Sequence, residues 1–205
     1  MAGPSLATDA LVLLKRPPAD AFQTFTAFSV EQGSLLIINR IAKKNTGGAV
    51  ALDLFDEAAL MLESANQGQT WFVKEARLLT RHSGLGASYE TLQAASALAQ
   101  LAARNTVPED CRARVYALLR EAFAALASSK RPDIVYLKSL YRFARDEGYP
   151  VKEHWFPSLP AADRETVATL LNQPVAGQTA EPTHVAKLLH RFEDYLRGHT
   201  EILLD

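Results

Sequence analysis

The sequence holds a single cysteine, Cys111, in 205 residues. A lone thiol forms no intrachain disulfide and cannot build a thiolate-rich zinc site, so the expected fold owes nothing to disulfides or structural zinc. Long apolar runs are missing too, since no stretch approaches the roughly 20 residues that cross a bilayer. The start, MAGPSLATDALVLLKR, lacks the basic opening and small-residue cleavage site of a secretory signal. A cytoplasmic protein without membrane contact is expected. An excess of either charge is absent as well: the net charge is −1, with 8 Lys/Arg and 8 Asp/Glu in residues 1–82 and 14 and 15 in residues 83–205. Attraction to nucleic acid therefore has to come from local clusters.

Catalytic signatures are scarce. No glycine-rich phosphate loop occurs, and His184, His190 and His199 are six and nine residues apart, not on the adjacent turns that helical metal sites use. Cys111 stands beside Arg112 and Arg114 near a helix start, which favours a thiolate, but no histidine is near it in sequence and an idle thiol is the preferred reading. The pairs Asp56-Glu57, Asp146-Glu147 and Glu193-Asp194 are sequential, so on a helix they point to different sides and suit solvated surfaces. A binding protein is expected, without enzyme activity and without a cofactor.

What the chain does have is one change of hydrophobic period, between Thr70 and Leu101. Segments before it read as strands and segments after it as amphipathic helices, which predicts an α+β chain with separate layers or domains in place of interleaved βαβ units. Ala10–Lys15, Phe22–Ser29, Leu35–Ile41, Glu57–Ser64 and Gln69–Leu79 are the expected strands, with Pro17-Pro18, Gly33, Gly47-Gly48 and Gly68 at the turns. Five strands in about eighty residues suit a small barrel of the OB type. Residues 1–82 are assigned to that domain and 83–205 to an all-α helical domain without a zinc element.

In the helical part, Leu92, Ala95, Leu98, Ala99 and Ala102 form one apolar stripe, and Val115, Leu118, Leu119, Ala122, Phe123 and Leu126 a second. Thr106 and Glu109 have capping-box spacing before the second helix. A third helix is expected from Pro132 to Glu147, with Ile134, Leu137, Tyr141 and Ala144 inward, ended by Gly148 and Pro150. The loop YPVKEHWFPSLP is expected to pack as a cap, followed by helices at Ala161–Asn172 and Thr183–Arg197.

An OB-type barrel offers aromatic platforms for bases and cations for phosphates. Candidate platforms are Phe22, Phe25, Phe28, Trp71 and Phe72, for which the alternative is a place in the core. Candidate phosphate contacts are Lys15, Arg16, Arg40, Lys43, Lys44, Lys74, Arg77 and Arg81. The Lys43-Lys44 loop and the Lys15-Arg16 strand end are favoured, because both adjoin Gly/Pro-rich turns where mobile cations can follow a flexible strand.

The junction EARLLTRHSGLGASYETLQAASALAQL carries a family resemblance in Glu75, Ala76, Leu78, Leu79, Leu85, Tyr89, Glu90, Ala94 and Ala95. It resembles the barrel-to-helix passage of RecO, the bacterial recombination mediator. TFTAFSVEQGSLLIINRIAKK is similar to that family's second and third strands, with Phe28, Gly33, Ala42 and Lys43 at matching places, and PDIVYLKSLYRFARDEGYPV and HVAKLLHRFEDYLRGH resemble its later helices. The resemblance implies an OB barrel and a helical domain that bind single- and double-stranded DNA and anneal complementary strands. It also implies cooperation with RecR and single-strand-binding protein in loading recombinase during DNA repair. Where that family often has a four-cysteine zinc element, this chain has YPVKEHWFPSLP, and Asn45-Thr46-Gly47-Gly48 replaces much of its arginine-rich loop.

The acidic, hydrophobic-ended C-terminal tail of a single-strand-binding protein needs an apolar groove with a cationic rim. Arg112, Arg114, Arg120, Lys130, Arg131, Lys138 and Arg142 are the candidate rim, with ordinary helix-surface charge as the alternative. A competing function is a non-enzymatic protein-interaction adaptor whose barrel leaves nucleic acid untouched.

Overall fold

The computed structural model describes residues 3–41, 51–64 and 66–204. The architecture is α+β: among the described residues five strands, β1 (Ser5–Lys15), β2 (Phe22–Ser29), β3 (Gly33–Arg40), β4 (Glu57–Glu63) and β5 (Trp71–Thr80), precede six helices. These are α1 (Tyr89–Arg104), α2 (Glu109–Ser128), α3 (Pro132–Asp146), α4 (Trp155–Ser158), α5 (Ala161–Asn172) and α6 (Pro182–His199). No helix among the described residues is long and apolar enough to cross a membrane.

The strands close into a ring in the order β1-β2-β3-β5-β4. All neighbours are antiparallel except β3 and β5, which run parallel through the short register Ile37↔Trp71 and Ile38↔Phe72. Alternation decides what fills the ring. Ala10 and Val12, Phe25 and Ala27, Leu35 and Ile37, Ala58, Leu60 and Leu62, and Trp71 all point inward and form one core cluster. The opposite face of the β1–β2 pair is also buried where Leu11 lies opposite Phe28, so these strands read as continuous apolar runs there. Irregular register between Val12 and Leu14, and between Met61 and Leu62, marks bulges, which let so short a sheet bend into closure.

The chain divides into two compact units, Met1–His82 with Ala102–Tyr116, and Ser83–Leu101 with Ala117–Asp205. The first unit thus consists of the ring and the helical stretch 102–116. Within it the Arg112 Nη1 donates to the Glu31 carbonyl at 2.8 Å, and the Tyr116 hydroxyl lies 3.0 Å from a Glu57 carboxylate oxygen in a buried bond. Gly33 opens β3 with φ +72°, and a Cβ there would stand 3.1 Å from the Arg112 Nε. The left-handed backbone favours glycine at this turn, and its missing side chain leaves room for the guanidinium.

In the second unit, α3 buries Ile134, Leu137, Leu140 and Ala144, and α6 buries Val185, Leu188, Phe192 and Leu196, the spacing of a core-facing helical stripe. Trp155 of α4 is fully buried, with ring centroids 4.4 Å from Phe192 and 6.2 Å from Tyr141. The segment expected to act as a cap therefore supplies the largest core side chain of this unit. Gly84 has a separate role: a Cβ on it would stand 2.2 Å from the Ala127 carbonyl oxygen, so only glycine permits this backbone approach.

Helix starts differ from expectation in two places. Ser88 caps α1, its Oγ accepting from the Thr91 amide at 3.2 Å, a motif the sequence reading passed over. The first residue of α2 is Glu109, three beyond Thr106, so Thr106 does not occupy the N-cap its capping box required. Leu92, placed in the inward stripe of α1, is 42% exposed. It lies in the first turn of α1, on the same side of the helix as Ala95 and Ala99, and burial begins only one turn further along the stripe.

Candidate nucleic-acid interface

The ring has outward-facing surfaces, and their chemistry follows from alternation. On β2, Gln23, Phe25 and Ala27 are buried, which leaves Phe22, Thr24 and Thr26 facing out. On β3 the inward Leu35 and Ile37 leave Ser34, Leu36, Ile38 and Arg40 outward, and on β5 the inward Trp71 and Val73 leave Phe72 and Lys74. Register then assembles a patch. Phe22 is opposite Arg40, Thr24 is opposite Ile38, and Ile38 is opposite Phe72. The Arg16 amide donates to the Thr24 carbonyl at 3.0 Å, which brings Arg16 to the end of the same row. Phe22 at 41% and Phe72 at 37% exposure are open aromatic faces, with two strand spacings and a two-residue offset between them, roughly 12 Å.

Of the five aromatic candidates, then, Phe22 and Phe72 face solvent, whereas Phe25, Phe28 and Trp71 are buried and serve as core. Period-two counting from the buried Ile37 to its neighbours separates the two groups, a signal available once the inward face of one strand is known.

The cations separate as clearly. Arg16, Arg40 and Arg77 are exposed and have no ion pair among the described residues. Lys15 is bound to Asp53 at 2.9 Å, and Lys74 to Glu63 at 2.7 Å. Arg81 grips the buried Asp56 through Nε at 2.8 Å and Nη2 at 2.5 Å, and its Nη2 also reaches the Ala51 carbonyl at 2.8 Å. That carboxylate holds the Arg81 guanidinium above its ordinary pKa, and the arrangement satisfies a buried anion; Arg81 is a structural partner. Lys43 and Lys44 lie outside the described residues.

Arg77 belongs to a different surface. It lines a groove of about 590 Å³ on β1, β4 and β5 together with Asp9, Glu31 and Glu75. Three carboxylates share this groove with one guanidinium, so this face opposes the β2–β3 patch in sign.

The seven helical cations do not share one groove. Arg112 is committed to the Glu31 carbonyl, and Arg114 donates to the Cys111 sulfur at 3.1 Å within its own helix. Lys138 donates to the Leu170, Leu171 and Gln173 carbonyls at 3.0, 3.1 and 2.7 Å, closing the C-terminal end of α5, and burial pushes its pKa down. Arg131 is paired with Asp133 at 2.8 Å and, with Lys130, lines a cleft of about 680 Å³ beside Tyr136 and Leu189. Arg120 is exposed on α2. Two of the seven, Lys138 and Arg142, line a groove of about 600 Å³ that has Leu118, Val135, Phe156 and Leu171 on its walls. Arg145 and Lys152, which the sequence reading left out, stand on the same groove; Arg142 is held by Glu121 at 2.5 Å and Arg145 by Asp146 at 2.7 Å.

Among the described residues no group of three or more His, Cys, Asp or Glu side chains is placed to hold a metal ion. Compared with known proteins, the sequence matches no protein-family model and no curated relative.

Proposed function

We propose that this protein is a non-enzymatic DNA-binding mediator of recombinational repair, similar to RecO, whose ring is an OB-type barrel. The observation that carries this is the outer patch on β2, β3 and β5, where Phe22 and Phe72 flank Arg40 and Arg16. Bases stack on exposed rings and phosphates pair with the adjacent guanidinium groups, a combination that tolerates any sequence. A five-stranded ring with β2 and β3 side by side suits the OB assignment, and that fold binds oligonucleotides on the face of its second and third strands and on the loops beside them. Both the patch and the Arg16-Pro17-Pro18 turn fall in those places.

In this reading single- and double-stranded DNA meet the same patch, single strands more tightly because unpaired bases can stack on it. Annealing follows when two bound strands are held with their bases accessible. The apolar groove with Arg145 and Lys152 on its edge is the proposed seat for the acidic, hydrophobic-ended tail of single-strand-binding protein. RecR completes the proposed loading assembly.

Fluorescence anisotropy of a labelled unstructured oligonucleotide over a salt series tests the DNA reading. Binding is expected at low salt and falls with a log–log slope of about −0.7 per phosphate contact on a single strand. Undetectable binding at low salt, or affinity indifferent to salt, overturns it. A tail-peptide titration with an acid-end deletion as control tests the groove; equal binding of both peptides removes that part.

The adaptor reading has its own observation: Lys15, Lys74 and Arg81 are neutralised within the ring by Asp53, Glu63 and Asp56. It predicts tail-peptide binding alongside no oligonucleotide binding, so the same two titrations separate the readings.

A further inference from the structure

We infer that Glu63 and Asp53 are built-in competitors for the phosphate backbone: each carboxylate occupies a cation of the ring until a polyanion displaces it. The inference rests on the DNA reading above and adds a device that sets its affinity.

Glu63 lies on β4 directly opposite Phe72, and its carboxylate holds Lys74 at 2.7 Å, the exposed extra residue of the β5 bulge two positions beyond Phe72. A strand stacked on Phe72 runs its backbone past Lys74, and the ammonium it meets is already paired. Asp53 does the same at the end of β1, holding Lys15 at 2.9 Å next to Arg16. Both pairs are about half exposed, with side-chain exposures of 52% and 50% for Lys74 and Glu63, and 37% and 60% for Lys15 and Asp53. At such exposure an ion pair is weak and can exchange one anionic oxygen for another. Asp56 marks the contrast, because it is 1% exposed and its hold on Arg81 is part of the fold.

A single free phosphate gains little by replacing a tethered carboxylate, since it gives up its own translational freedom for one exposed contact. A phosphodiester chain already anchored on Phe22, Arg40 and Phe72 delivers its next phosphate at high effective concentration, and releases counterions as it does so. The two carboxylates thus raise the threshold for isolated anions and leave continuous strands able to bind. They make the interface selective for length.

The test titrates labelled oligothymidylate against the full-length protein, with Glu63→Gln, Asp53→Asn, the double variant and Glu75→Gln compared at several salt concentrations. Glu75 pairs with Met61 on the neighbouring strand and holds no cation among the described residues, so Glu75→Gln makes the same change in net charge without releasing one. Circular dichroism confirms that each variant keeps the native fold. Glu63→Gln and Asp53→Asn are each expected to raise affinity about twofold to fivefold and to steepen the salt slope by up to about one unit. Glu75→Gln is expected to do neither. Equal gains from Glu75→Gln and Glu63→Gln, or unchanged affinity in the double variant while the natural protein binds, overturn the inference and leave the DNA reading standing. Absence of binding by the natural protein and the double variant alike removes both. Binding by the double variant alone supports the inference in its strongest form.

Discussion

Two outward surfaces of one small ring differ in kind. The β2–β3 side, extended onto β5, presents Phe22, Arg40 and Phe72 with Arg16 at its end, whereas the β1–β4–β5 side presents Asp9, Glu31 and Glu75 around Arg77. The ring residues 1–82 hold equal numbers of acidic and basic groups. Neutrality of the whole is therefore compatible with a strongly polar distribution, and a ligand reads the distribution. Glu63 and Lys74 stand at the border, where β4 meets β5.

The largest effects separate the inside of the ring from its outside. Phe25 and Phe22 are three residues apart on one strand, one in the core and one in solvent. Phe25→Ala is expected to cost about 3–5 kcal/mol of folding stability, the usual loss for a buried phenylalanine, whereas Phe22→Ala is expected to stay within about 0.5 kcal/mol. Urea unfolding followed by circular dichroism measures both, and a comparable loss from Phe22→Ala would break the distinction.

Binding then separates the two outer surfaces. Phe72→Ala and Phe22→Ala are each expected to weaken oligonucleotide affinity by about 1–3 kcal/mol, the worth of a base stacked on an aromatic ring. Met61, also outward at 43% exposure but on the acidic side, serves as the matched control, and Met61→Ala is expected to leave affinity unchanged. Equal losses from the two sides would sink the assignment of the patch.

Smaller again is the contrast between arginines. Arg40→Ala is expected to reduce the salt slope by about one unit, whereas Arg77→Ala is expected to leave it unaltered, because Arg77 sits among carboxylates. A salt series on both variants decides, and a larger change for Arg77 would reverse the polarity assigned to the ring.

The sequence carried the layers of this fold more fully than its surface. Period-two alternation and turn residues located the five strands, although β1 begins at Ser5, five residues before the expected Ala10, and the Gly47-Gly48 turn lies outside the described residues; Glu57–Glu63 formed a strand although its Ala, Leu, Met and Glu favour helix, because Ala58, Leu60 and Leu62 complete the ring core. What stayed hidden depends on partners distant in sequence. Nothing near Lys15 announces Asp53, 38 residues away, nor does anything near Arg81 announce Asp56, 25 residues away. A list of cations therefore overstates the field available to a phosphate. Arg112 taught the same lesson, since its partner is a backbone carbonyl 81 residues distant, made reachable by the lack of a side chain at Gly33. On the helical side, the cation at Lys138 was legible as a residue but its carbonyl partners were not, because they come from the last turn of α5 and the residues just after it.

The smallest effect concerns Asp53, and its sign differs between folding and binding. The Lys15 hydrogen bond, the largest cause, together with the Leu54 amide, holds the Asp53 carboxyl below its ordinary value of 3.8. A carboxyl depressed in the folded state contributes stability that is fully present above its unfolded pKa and is lost as pH falls through the folded one. The pair is exposed, so the contribution at neutral pH is less than about 1 kcal/mol. Asp53→Asn is accordingly expected to lower stability slightly at pH 7, with the difference from the natural protein shrinking to nothing as the solution is acidified below about pH 4. Paired urea titrations across that interval measure it, and a difference that persists or widens in acid would show that Asp53 acts through something other than its charge. The same Asp53→Asn protein should bind oligonucleotide more tightly at pH 7, which sets a small loss in folding against a gain in binding from one ion pair.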